Sequence, residues 1–156
     1  MSRERCGHVA IYYDFKLFVI GGEKETNNST SVEYYDIISG YWLEVNQIPC
    51  KYDSKSCRVI VANNHIYFLD GLRRLYSLKM NQCDNHFFKD SKWTEHKLYY
   101  DDAYNLSLKN YAIIGSYYKK SSDSVMKLYI LGGNTGENFN SIIFSINFEE
   151  KMFLKK

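Results

Sequence analysis

Proline occurs once in this chain, at Pro49, and the 3.6-residue apolar spacing of a surface helix is almost missing. The first scarcity leaves strand-like runs with their amide donors intact; the second argues against a helical bundle. SKWTEHKLYYDDAYNL, residues 91–106, is the best helix candidate, and it is a weak one. No apolar run approaches the roughly 18 residues of a membrane-spanning helix. The N-terminus MSRERCGHVAIYYDFK lacks the apolar core and small-residue cleavage site of a signal peptide. A soluble protein of the cytoplasm is the resulting expectation.

Charge of one sign is also scarce. The formal net charge is +2 with the basic residues scattered, so neither a nucleic-acid groove nor a polybasic membrane patch is expected. Cys6, Cys50, Cys57 and Cys83 form no CxxC pair and match no zinc spacing, and they are read as free thiols. His8, His65, His86 and His96 sit apart, with no HExxH among them. No catalytic, metal-binding or cofactor-binding set emerges.

What is present is a repeat. The alternation HVAIYY (8–13), a short polar turn and the run LFVIGG (17–22) read as two strands joined tightly. The phrase returns as RVIVA (58–62), a turn and IYFLDG (66–71), and again as YAIIGSYY (111–118), a longer polar turn around KKSSDS and LYILGG (128–133). The last glycines of the runs, Gly22, Gly71 and Gly133, are 49 and 62 residues apart. The aromatics Trp42, Trp93 and Phe153 keep step, 20, 22 and 20 residues beyond those glycines. Between each glycine and aromatic lies a third strand: SVEYYDI (31–37), RLYSLKM (74–80) and SIIFSINF (141–148). The aromatic opens a fourth, YWLEV, KWTEHKL and MFLKK. Three four-stranded antiparallel meanders follow, at about 5–49, 50–98 and 103–156, all within one domain. Runs rich in Ile, Val, Tyr, Phe and Leu suit sheets covered on both faces.

This order resembles the kelch repeat, whose units run Gly-Gly, Tyr-Asp, Trp and Met-Pro. The first unit has Gly21-Gly22, Tyr35-Asp36, Trp42 and Ile48-Pro49. The second keeps Gly71 and Trp93 but has Asp70 for the first glycine; the third keeps Gly132-Gly133 and substitutes Phe153 for Trp. The resemblance implies an all-β fold, a partial β-propeller of three kelch blades. Closed propellers have roughly four to eight blades. Three would leave flanks that natural proteins cover, so a larger chain or a self-associating subunit is implied. The wording is also similar to the kelch-like proteins of poxviruses, in a short form without BTB and BACK domains.

For function the resemblance implies a non-catalytic protein-interaction module, in a virus a modulator of host ubiquitin-ligase substrate choice. The alternative is a truncated remnant of a BTB-kelch protein with little activity. Copper-radical oxidases occur among kelch propellers, but nothing here singles out their ligand set. GGNTGEN (132–138) leads into a strand and not a helix, so the repeat explains it better than phosphate binding. In kelch propellers one rim binds the partner, through loops that map here to 23–30, 72–74 and 134–140, with the connections 50–56 and 99–107. On that rim Arg73 and Arg74 are candidates to meet an acidic segment, and Tyr52, Tyr99, Tyr100 and Tyr104 are candidate contacts offering rigid apolar area with a polar tip.

Overall fold

The computed structural model describes residues 1, 4–24, 27–50, 56–71, 74–80, 92–96, 112–120, 123–131 and 143–149. Among these residues all regular structure is strand. The first sheet is an antiparallel meander of β1 (Val9–Tyr13), β2 (Lys16–Ile20), β5 (Val32–Asp36) and β6 (Tyr41–Val45), in that order; β3 (Glu23–Lys24) and β4 (Asn27–Asn28) form a small ribbon in the loop between β2 and β5. The second meander is β7 (Arg58–Ala62), β8 (His65–Leu69), β9 (Leu75–Lys79) and β10 (Trp93–His96). The third sheet pairs β11 (Ala112–Lys120), β12 (Asp123–Leu131) and β13 (Ile143–Glu149).

Local chemistry explains the turns. The β1–β2 and β7–β8 hairpins close with two residues, Asp14-Phe15 and Asn63-Asn64, all at positive φ (47, 57, 45 and 56°). Two left-handed residues in succession match the right-handed twist of the flanking strands. Asn and Asp tolerate that region; Phe15 bears a steric cost there and leaves its ring in solvent. The β5–β6 turn is closed by Asp36, whose Oδ1 accepts from the N–H of Ile38 (2.9 Å) and Ser39 (3.4 Å) while its carbonyl accepts from Gly40.

The third hairpin differs from its expected form. Both described ends of the polar stretch read as a long turn are strand: pairing continues through Tyr118↔Val125 to Lys120↔Asp123. Extra length in this unit goes into the strands, because Tyr117, Tyr118, Val125 and Met126 are good strand formers that extend the alternation past the point where the earlier hairpins stop.

Register divides each sheet into rows, and the rows explain the core. One face of the first sheet carries Val9, Ile20, Val32 and Val45 in one row and Ile11, Phe18, Tyr34 and Leu43 in the next. The second sheet supplies Val61, Ile66, Leu78 and Trp93 in one row, with Val59, Phe68 and Tyr76 beside it. These rows form a single apolar cluster in which Phe18, Ile20, Tyr34, Ile66, Phe68 and Leu78 are fully buried. Each such side chain contributes about 1.5–3 kcal/mol on burial. Phe18 and Tyr34 meet at 5.4 Å between ring centroids, and Phe68 lies edge-on to Trp93 at 6.3 Å.

The first strands of the sheets run next to one another, β1 beside β7 and β7 beside β11. First strands on the inside and fourth strands outside, with faces stacked, is the arrangement of meanders set radially about an axis.

Candidate functional site

The loops between second and third strands lie at one end of the sheets, and in the first unit that end is built from the glycine pair. Gly21 (φ 67°) and Gly22 (φ 96°) turn the chain out of β2. A Cβ on Gly22 would stand 2.8 Å from the Cys6 carbonyl oxygen and 3.0 Å from His8 Cβ, so glycine is required both for backbone angle and for space. Gly71 repeats this in the second unit: at φ 77° its Cβ would meet Ser56 Cβ at 2.5 Å. Each glycine admits the segment leading into its own sheet.

The loop beyond Gly22 is held in place. Cys6 and Glu23 exchange two backbone hydrogen bonds (3.0 and 2.8 Å), the Ser29 N–H donates to the Gly22 carbonyl (2.7 Å), and the Ile48 N–H donates to that of Thr30 (2.9 Å). Beneath it lies a buried ion pair. The Arg5 guanidinium donates to the Glu33 carboxylate and, through Nη1, to the carbonyls of Gly21 (3.0 Å) and Ser31 (3.1 Å), with both side chains almost wholly out of solvent. Arg5 thus ties the segment before β1 to β5 and to both ends of the rim loop. Its Nε is buried without a partner among the described residues.

The second unit has a shorter loop with a different lock. Asp70 replaces Gly21's counterpart, is fully buried, and accepts from the Arg74 N–H (2.9 Å) and from Arg74 Nε (2.6 Å), while its own N–H donates to the Arg74 carbonyl (3.1 Å). The bond to Asp70 holds Arg74 protonated beyond its ordinary value. The pair is neutral as a unit, so Arg74 presents N–H donors on a side chain 39% exposed, and not an uncompensated cation. Beside it, the Tyr76 hydroxyl donates to the Cys50 sulfur. Burial pushes both groups up, so Cys50 stays a thiol and Tyr76 a phenol.

Of the residues singled out in the sequence, Gly21, Gly22 and Gly71 make the loop exits, and Tyr35 and Trp42 stack at 5.3 Å on neighbouring strands. Trp93 crosses between sheets: its indole N–H donates to the Asn46 carbonyl at 3.0 Å. Arg74 stands on the rim beside Cys50. Gly132, Gly133, Phe153, Tyr52, Arg73, Tyr99, Tyr100 and Tyr104 lie outside the described residues. Sequence reasoning missed Arg5, Glu33 and Asn46, whose roles come from contacts across strands or sheets and carry no local spacing signal, and it missed the pairing of Asp70 with Arg74 four residues on. It also missed the opposite end of the first sheet, where Phe15, Ile37, Ile38 and Tyr41 are exposed.

Comparison with protein-family models matches the Kelch motif over the segment that holds the glycine exit, the Arg5–Glu33 pair and Trp42. Residues 4–47 carry a Kelch motif. The match supports a kelch-repeat family for this chain, and the all-β architecture of stacked four-stranded meanders is consistent with kelch blades of a partial propeller. In Kelch terms the sheets are blades, with β1, β7 and β11 innermost. Kelch repeats are generally non-catalytic modules that mediate protein–protein interaction.

Proposed function

We propose that the chain is a non-catalytic, kelch-type protein-interaction module whose partner docks on the rim formed by the loops after β2 and β8 and by the inter-blade connection at Cys50. The observation that carries this reading is the Kelch motif at 4–47. The Cys6–Glu23 bridge, the Arg5 ties and the Asp70–Arg74 lock tie down the described ends of the loops after β2 and β8, which lowers the ordering cost of binding there. The well-packed core between the first two blades favours a working module over a decayed remnant.

In its finer form the proposal is a viral protein of the host-cell cytoplasm that competes for a target of a host ubiquitin ligase, and that completes its propeller by self-association. The resemblance in sequence wording to poxvirus kelch-like proteins supports it. Affinity capture from expressing cells, with the intact chain and with an Arg74→Glu rim variant, tests the reading. A reproducible partner retained by the first and lost by the second is expected; no reproducible partner for the intact chain would overturn it.

A further inference from the structure

Blade 2 shows what a blade turns toward the blade before it. One row spans all four of its strands, Val61, Ile66, Leu78 and Trp93, and this row is covered by blade 1: Ile66 and Leu78 are fully buried, and the Trp93 indole reaches the Asn46 carbonyl. The same register in blade 1 gives the row Tyr12, Leu17, Tyr35 and Trp42. It has the same strand order, the same hydrophobic character and a tryptophan at the same end.

Among the described residues no other blade covers this row. Tyr12 is 57% and Leu17 37% exposed, and Tyr35 and Trp42 are half-buried. Among the described residues no acceptor meets the Trp42 indole N–H. Apart from Met1, every exposed large hydrophobic side chain in the described parts of the first two blades belongs to blade 1. The other half of the flank is closed by the Arg5–Glu33 pair, so the open area is the half that Trp42 and Leu17 hold.

Internal symmetry names the surface that fits such a row. In this molecule it is received by the opposite face of a preceding blade, the rows Val9–Ile20–Val32 and Ile11–Phe18–Tyr34 of blade 1. The register of blade 3 places Ala112, Leu131 and Ile143, then Ile114, Tyr129 and Ser145, at the corresponding positions. Blade 3 therefore has, in sequence and register, the row positions that the flank of blade 1 requires.

We infer that the exposed flank of blade 1 docks blade 3 of a second copy of this chain, with Trp42 as the central anchor, so that two copies close a ring. The contact is head-to-tail and occurs twice about a two-fold axis, giving twice the three blades and falling within the roughly four to eight that close a propeller. This inference rests on the propeller reading above, and it names the surface and the residue through which self-association occurs.

The test is sedimentation velocity of the intact chain over a concentration series, beside Trp42→Ala and Leu17→Arg. A dimer is expected for the wild type, with its dissociation constant raised about tenfold or more in each variant, as for a truncated central anchor. Circular dichroism of the variants must stay that of a folded sheet, which the exposure of Leu17 allows. In a Trp93→Phe variant, Trp42 alone reports, and its emission shifts to the blue as the dimer forms. A folded monomer at every concentration, or a dimer indifferent to both substitutions, would overturn the inference. A monomer that still captures a rim partner rejects only this proposal, whereas a dimer without any partner rejects only the function proposed above.

Discussion

Trp93 donates its indole N–H to the main-chain carbonyl of Asn46, 47 residues earlier and in the neighbouring blade. The ring fills the space between sheets, and the hydrogen bond fixes its angle. Replacing it with Ala removes both contributions and leaves a cavity, for an expected cost of about 3–5 kcal/mol. Trp93→Phe keeps most of the burial and loses the bond, at about 1 kcal/mol. Trp42→Ala, measured at low protein concentration, costs about 1–2 kcal/mol, because its partly covered ring packs on Tyr35 of its own sheet and not into the cluster between the blades. Urea unfolding of the three variants checks the order; equal losses for Trp42→Ala and Trp93→Ala would contradict the packing described.

The glycine exits make a sterically defined prediction. Gly22→Ala and Gly71→Ala each combine a positive φ with contacts below 3 Å, so each is expected to destabilise by more than about 1 kcal/mol. Gly40→Ala, with its nearest neighbour 3.8 Å away, bears only the conformational term at φ 76° and should lose less. Thermal midpoints of the three variants rank them.

The Arg5–Glu33 pair is buried on both sides, so removing one partner strands the other charge. Glu33→Leu and Arg5→Met are each expected to cost about 3–5 kcal/mol, whereas the double variant recovers much of the loss. Chemical denaturation of the double-mutant cycle checks this. Losses that simply add would mean that the two groups act independently.

Acid sensitivity should trace to the β5–β6 turn. Burial works against the charge on Asp36, but the amides of Ile38 and Ser39, with Lys16 nearby, hold its carboxyl below the usual carboxylate range. The folded state therefore binds the proton less readily than the unfolded chain. Its contribution is complete above the unfolded value of about 3.9 and disappears as pH falls through the lower folded value. Asp36→Asn keeps a side-chain acceptor without the charge. Urea midpoints at pH 6 and near pH 3 should differ less for this variant than for the wild type.

Thiol labelling separates the cysteines. Cys6 is exposed, whereas Cys57 is fully buried and burial pushes the Cys50 thiol up. Among the three described cysteines, an alkylating reagent at neutral pH should modify Cys6 first, with Cys50 and Cys57 following only on unfolding. Mass mapping of the label gives the order, and equally rapid labelling of Cys50 would show that the site between the blades opens.

The blade grammar was readable because two of its parts are local. Alternation over five residues marks a strand, and the Gly21-Gly22 and Gly71 positions follow from backbone geometry that few residues adopt. RVIVA and YWLEV were read to the residue for the same reason. What was not readable depends on partners distant in sequence. Nothing within a window around Arg5 reports that Glu33 lies 28 residues away, and polar Ser and Lys in 116–124 disguise a hairpin that pairing extends. Asp70 was visible as the residue in place of the first glycine, but its burial and its pairing with Arg74 were not, because burial depends on the segments packed over it.

Each of the two complete blades draws all four strands from one continuous stretch, 9–45 and 58–96. No strand is borrowed from a distant part of the chain to finish either sheet. A blade of this kind can be deleted, duplicated or exchanged as a unit, leaving the hydrogen-bond ladders of its neighbours whole and disturbing only the surfaces between them. Blade number is accordingly a property that changes by whole steps.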